Sequence, residues 1–205
     1  MIAVIDYGIG NVCSIANMIK KIGIDVIMAS KADEIARADK LILPGVGSFD
    51  AGMSKLNESG LTKAITDFTL VKKKPLLGIC LGMQMLGEQS EEGIEKGLNF
   101  IPFKTKKFSF SGKKELKIPH MGWDIVKIDL LNDPLTYQLE PLQRYYFVHS
   151  YHAVCENPEN ILMTCDYGYP FTAAVKNENI YGVQFHPEKS HKYGMALLDN
   201  FVRRV

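Results

Sequence analysis

The first half of the chain alternates short apolar runs with longer amphipathic ones. Ile2–Ile5, Ile24–Met28, Leu41–Leu43 and Leu76–Ile79 are brief and unbrokenly apolar, as strands covered on both faces are. Between them lie helical patterns: Val12–Ile22, the polar stretch Lys31–Arg37, roughly Phe49 to Leu70, and Leu81–Glu88. Strands alternating with helices predict a parallel sheet with helices on both faces. Right-handed crossovers then bring the strand C-termini to one edge, where ligands bind in such sheets. The second half is richer in strand signals: Tyr145–Val154, Ile161–Thr164, Thr172–Lys176 and Ile180–Phe185, before a last helix at about Tyr193–Arg203. It predicts antiparallel hairpins, with one or two strands rejoining the sheet. Phe103–Lys117, with its Lys, Ser and Gly, predicts an exposed loop or hairpin. No repeat, low-complexity tract or linker interrupts the 205 residues, which suit one α/β domain.

Composition removes several classes of function. A net charge of +1, from 24 basic and 23 acidic residues, gives no electrostatic case for nucleic acid. No run of about 18 apolar residues exists, so no membrane span is expected. The opening Met-Ile-Ala-Val-Ile-Asp reads as a strand and lacks the regions of a signal peptide. Cys13, Cys80, Cys155 and Cys165 lack paired spacing and read as reduced thiols of a cytoplasmic protein. The five histidines are not spaced as metal ligands, and no cofactor is expected.

One apolar run ends in unusual chemistry. Pro75-Leu-Leu-Gly-Ile-Cys80-Leu-Gly-Met-Gln84 reads as strand, sharp turn and helix, with Cys80 at the apex. Gly78 and Gly82 leave room for a backbone path that pushes one side chain out above the sheet. The layout is that of a nucleophile elbow with Cys in place of Ser. A helix N-terminus favours a thiolate, the reactive form of the side chain. An ordinary buried Cys in a strand-to-helix turn has the same local pattern.

A catalytic Cys needs an imidazole to take and return a proton, and the imidazole needs an acceptor for its other nitrogen. Gln184-Phe-His186-Pro-Glu188 closes another strand-like run. His186 and Glu188 are two apart and project to the same side of an extended chain, so the carboxylate can reach the ring. Attack on an amide also develops negative charge that backbone N–H groups can hold. Leu81, just past the elbow, offers one N–H. The strand-and-loop run Lys40-Leu-Ile-Leu-Pro44-Gly45-Val46-Gly47 offers another, from Val46 or Gly47, with Gly45 and Gly47 allowing the backbone to turn. Gly8-Ile-Gly10 suggests a dinucleotide loop, but Cys13 replaces the third glycine and the expected acidic residue is absent. That loop is expected to tuck against the elbow or a partner.

Six collinear segments then carry a resemblance: Asp6-Tyr-Gly-Ile-Gly-Asn11, Pro44-Gly-Val-Gly47, Gly78-Ile-Cys-Leu-Gly-Met-Gln84, Pro119-His-Met-Gly-Trp123, Tyr146-Phe-Val-His-Ser150 and His186-Pro-Glu-Lys-Ser190. Over its whole length the chain resembles the class I, or triad, glutamine amidotransferases. Within them it is similar to the glutaminase subunits of histidine biosynthesis. The resemblance implies a flavodoxin-like fold, with a mainly parallel sheet flanked by helices. It implies L-glutamine as substrate and a Cys80–His186–Glu188 triad, with Val46, Gly47 and Leu81 at the oxyanion. Gln84 and Glu92 would hold the amino-acid end of glutamine, and His149 and Ser150 would line the cleft. The implied partner is a (β/α)8-barrel cyclase that receives ammonia through a dry tunnel, with His120, Met121, Trp123, Tyr146 and Lys189 at the interface.

Two positions depart from that pattern. His191 follows the His-Pro-Glu-Lys-Ser run where the family usually has Gly, and Asp124 stands where Asn is usual. Similar variants look like paralogues that feed an amidotransferase of surface sugars. A third reading, a redox relative with Cys80 as sensor, predicts no ammonia from glutamine at all.

Overall fold

The computed structural model describes residues 1–110 and 116–205. In chain order the elements are β1 (Ile2–Ile5), α1 (Val12–Lys21), β2 (Val26–Ala29), α2 (Ala32–Arg37), β3 (Lys40–Gly45), α3 (Phe49–Glu58), α4 (Thr62–Thr66) continued by a π turn, β4 (Leu76–Cys80) and α5 (Leu81–Met85). There follow β5 (Gln89–Ser90), β6 (Phe103–Lys107), β7 (His120–Ile128), β8 (Leu142–His149), β9 (Tyr151–Cys155), β10 (Ile161–Asp166), β11 (Pro170–Asn177), β12 (Ile180–Val183) and α6 (His191–Arg204).

The strands join in the order β2-β1-β3-β4-β12-β11-β10-β7-β8, with β5, β6 and β9 branching from β11. From β2 to β12 every pairing is parallel, and from β12 to β8 every pairing is antiparallel. The parallel strands are buried from end to end in β1, β4 and β12, because helices cover both faces. One layer packs Val12, Ile15 and Ile19 of α1 and Leu197, Leu198 and Phe201 of α6 against Ile2, Val4, Ile42 and Leu77. The other packs Ile35, Phe49, Met53, Leu56 and Ile65 against Ala3, Ile5, Leu41 and Leu43. The alternation of the first half therefore gives the architecture expected of it, and Ile180–Val183 is the strand that rejoins the sheet.

The differences have local causes. The helical stretch from Phe49 breaks after Glu58, where Gly60 takes φ +72° and turns the chain. Tyr145–Val154 is two strands, β8 and β9, separated at Ser150. The helix after the elbow stops at Met85, because Leu98, Asn99 and Phe100 turn back and donate to carbonyls of residues 85–87. Of the segment expected as an exposed loop or hairpin, Phe103–Lys107 is a strand paired with β5 and β9, and residues 111–115 lie outside the described residues. Strand β7 alternates strictly between inward and outward residues, but polar His120 and Asp124 lie on its inward side and apolar Met121, Trp123 and Ile125 on its outward side, which masks the strand pattern in the sequence.

Candidate active site

The elbow is a place where backbone and packing force each other. Cys80 adopts φ +54° and ψ −109°, a conformation costly for a residue with a Cβ. It persists because α5 lies directly on the strands below. A Cβ at Gly82 would come 1.9 Å from the Leu43 carbonyl oxygen, and one at Gly78 would come 2.7 Å from the Gly82 oxygen. An alanine at Gly82 would have to lift the helix off β3, an overpacking cost of about 1–3 kcal/mol or more. Gly45 pairs with Cys80 and is small for the same reason: its Cβ would come 2.7 Å from the Gly82 nitrogen. Of the two loop glycines, only Gly47 turns the chain through a positive φ, +97°.

The parallel pairing of β12 with β4 explains how a residue a hundred positions away reaches the elbow. Val183 lies opposite Ile79, so the chain leaving β12 passes beside Cys80 and carries His186 to the same sheet edge. His186 donates from Nδ1 to Glu188 Oε1 at 2.8 Å, since a carboxylate can only accept. Both side chains are sealed from solvent. Among the described residues, His186 Nε2 makes no hydrogen bond and is left to exchange a proton. Burial pulls the imidazole pKa down, but the Glu188 hydrogen bond and the nearby Cys80 and Glu188 charges outweigh it and push it up to about 9. Glu188 moves the other way: burial would raise it, yet the His186 and Asn11 hydrogen bonds and the His186 charge hold it below the usual carboxylate value.

A cavity of about 390 Å³ opens over the sulfur. The elbow and its neighbours contribute Cys80, Leu81, Gln84, His186 and Lys189. Val46, Gly47 and Glu92 close one side, and Pro119 with residues 148–151 the other. The sequence-predicted residues Val46, Gly47, Leu81, Gln84, Glu92, His149 and Ser150 thus share one space with Cys80 and His186, while Glu188 stands behind the His186 ring. Leu81 is the first residue of α5, so its N–H lacks a helical acceptor.

Several of these side chains also do something unforeseen. The Glu92 carboxylate accepts from the Phe49 N–H at 2.8 Å and caps α3, while Asp50 accepts from the N–H groups of Ile94 and Glu95, latching this segment to the helix. Gln84 is buried; its amide nitrogen donates to Tyr151 O at 3.1 Å and to Gln184 Oε1 at 3.0 Å. Only its oxygen remains to meet a ligand. His149 donates from Nδ1 to Tyr151 O at 2.7 Å and takes the Nδ1–H of His120 on Nε2, so both ring nitrogens face protein. Burial pushes its pKa down to about 3, and it lines the cavity as a neutral wall.

The residues expected to face a partner divide. Met121 and Trp123 project outward from β7, and Lys189 sits over the Tyr146 ring beside the cavity mouth. His120 does not belong with them. Strand parity turns it inward, 3% exposed, between the rings of Phe147 and Tyr167. Two further residues were missed at the site. Asn11 donates to Glu188 Oε1 at 3.1 Å, so the Gly8–Asn11 loop does tuck against this site. The Tyr7 hydroxyl donates to Pro44 O at 2.8 Å, and burial, helped by the Cys80 charge, raises its pKa. Of the other cysteines, burial pushes Cys155 up to about 11 and raises Cys165 too, leaving them poor nucleophiles. Among the described residues no cluster could hold a metal ion, and no helix is long and apolar enough to cross a membrane.

A strained sulfur, an imidazole fixed by a carboxylate and N–H groups at one cavity are the parts of acyl transfer through a thioester. The comparisons with known proteins agree. The family model for glutamine amidotransferase class-I matches residues 3–205. A chain named imidazole glycerol phosphate synthase subunit HisH 2 from Methanococcus maripaludis is 56% identical over 205 residues, covering 100% of both chains. Its namesake from Pseudomonas aeruginosa is 49% identical with the same coverage, and subunit HisH of Bdellovibrio bacteriovorus is 47% identical over 98% of each. Among solved structures, PurLQS from Thermotoga maritima superposes with a TM-score of 0.71 over 98% of this chain and 96% of that one, at 18% identity. The glutaminase domain of Trypanosoma brucei CTPS with bound acivicin gives 0.67 over 100% and 94%, at 15% identity. These two likenesses speak to the fold.

Proposed function

The chain belongs to the class-I glutamine amidotransferases, and from that premise we propose that it is the glutaminase subunit of an imidazole glycerol phosphate synthase. It hydrolyses L-glutamine to glutamate and passes ammonia to a cyclase subunit, which makes imidazole glycerol phosphate and an aminoimidazole carboxamide ribonucleotide in histidine biosynthesis. The lyase chemistry belongs to the complex, the hydrolase chemistry to this chain. The observation that carries the reading is the Cys80 elbow sharing one cavity with His186, whose ring Glu188 holds from behind.

The Cys80 thiolate attacks the side-chain amide carbon of glutamine. The N–H groups of Leu81 and, after a turn of the loop peptide, of Val46 or Gly47 hold the oxyanion. His186, kept as imidazolium by its two anionic neighbours, gives its proton to the departing ammonia. The neutral ring then takes a proton from water, which attacks the thioester and releases glutamate. Gln84 offers only its carbonyl oxygen, because both amide hydrogens are spent, so it suits the substrate's ammonium group together with the free oxygen of Glu92.

The partner is a (β/α)8-barrel seated on the face that exposes Met121, Trp123 and Ile125, with Tyr146 and Lys189 at the rim of the ammonia exit. The protein works in the cytoplasm as one domain over 1–205. A second reading, ammonia supply to a surface-sugar amidotransferase, draws on one observation at that face. His191, at φ +48° where glycine would be unstrained, stacks on Trp123 at 5.5 Å and 6° and reshapes the docking surface. Reconstitution separates the two. Adding the cyclase and its nucleotide should raise glutamate release many-fold; no rise rules out the histidine-pathway reading.

A further inference from the structure

Gln184 is the one polar residue in the run from Ile180 to Phe185, and it is 0% exposed. A polar amide sealed in a core needs partners, and it has two. Its oxygen accepts from Gln84 Nε2 at 3.0 Å, and its Nε2 stands 3.8 Å from the Cys80 sulfur.

The direction of this chain is decided by one atom. The Tyr151 carbonyl can only accept, so the Gln84 group facing it must be the NH₂. The same NH₂ faces Gln184, which must therefore present its oxygen there and its own NH₂ to the sulfur. A donor at that place favours the thiolate over the thiol, since sulfur accepts far better when charged. The backbone agrees: Gln184 N donates to Ala173 O at 2.8 Å, holding the residue in register beside the elbow.

We propose that Gln184 is a positioning residue of the glutaminase site, whose amide, oriented from Tyr151 through Gln84, holds and stabilises the Cys80 thiolate. The proposal rests on Cys80 being the nucleophile. It adds a donor that works before substrate arrives and independently of His186. Glutamate at this position keeps the shape but turns the donor into an acceptor facing sulfur. Methionine keeps the bulk and deletes both polar groups.

The test uses the full chain, iodoacetamide and mass spectrometry of the peptides holding Cys80 and the exposed Cys13. In the unsubstituted protein Cys80 should be alkylated faster than Cys13. Gln184→Glu and Gln184→Met should slow Cys80 by about tenfold or more at neutral pH, the factor a hydrogen bond to a charged group is worth, with Cys13 unchanged. The deficit of Gln184→Met should close as the pH is raised, which repair of a distorted fold would not do. Circular dichroism identifies a variant that fails to fold, and the other then decides. A folded variant whose Cys80 reacts within about twofold of the original overturns the role of Gln184, since no hydrogen bond to a charge is worth so little. If Cys80 of the unsubstituted protein reacts no faster than Cys13, the nucleophile assignment itself falls, and this proposal with it.

Discussion

Two buried imidazoles face the same cavity and have opposite fates. His186 is held up to about 9, and His149 is driven down to about 3. Burial pulls on both in the same direction. At His186 it is overcome by a hydrogen-bonded carboxylate and by the charge of that carboxylate and of the nearby sulfur. At His149 it is opposed only by the Tyr151 carbonyl, and His120, His152 and His186 add to it. A buried histidine is therefore inert by default. It becomes a proton carrier only where anions are buried with it. The same contrast separates the two halves of the sheet: the parallel half delivers Cys80 and His186 to one edge, and the antiparallel half supplies neutral walls.

The largest blow to the active side of this comparison is loss of the sulfur. Cys80→Ala should abolish glutamate release from glutamine, while a complex fed with ammonia keeps working. Residual glutamine hydrolysis in that variant would remove Cys80 from its role. Next comes the anion. Glu188→Gln should lower kcat by about 10²–10⁴-fold, the usual worth of a positioned acid–base group, and bring the His186 titration down from about 9. An unmoved titration, followed by NMR, would mean that Glu188 does not set the charge.

The inert side gives a smaller effect. His149→Phe should cost less than about tenfold in kcat, because neither ring nitrogen is free for substrate. A loss as deep as that of Glu188→Gln would erase the distinction between the two rings.

The smallest effect is on stability. The folded pKa of His186 lies above its ordinary 6.5, so its contribution is complete below 6.5 and is lost as pH rises through about 9. Glu188 is lowered, so its contribution is present above 4.5 and is lost as pH falls through its folded value. The melting-temperature gap between the original protein and His186→Asn should thus be widest between 4.5 and 6.5 and narrow toward alkaline pH. On the order of 1–3 kcal/mol is at stake. A gap that widens above pH 9 would contradict the ion pair.

Much of this was legible in one dimension because it is local. Cys80 between Gly78 and Gly82, and His186 two before Glu188, are spacings that constrain geometry by themselves. Strand parity holds a further signal: His120 and Trp123 differ by three on one strand, so they cannot share a face. Gln184 gave a weaker one, a lone polar residue in an apolar run. Asn11 and Tyr7 lie inside one of the six segments that carry the resemblance, but what they touch is set by where the first loop packs.

The chain's own order of residues determined which segments become strands, which thiol sits on a sharp turn and which imidazole carries a carboxylate beside it. These depend on periods and spacings of a few residues, which backbone geometry enforces anywhere. Only the folded arrangement decided that Cys80 and His186 meet, through the parallel pairing of β4 with β12, and that His149 is mute. It alone settled which way each buried amide points. Those outcomes depend on burial and on partners far away along the chain, and neither exists until the sheet has closed around them.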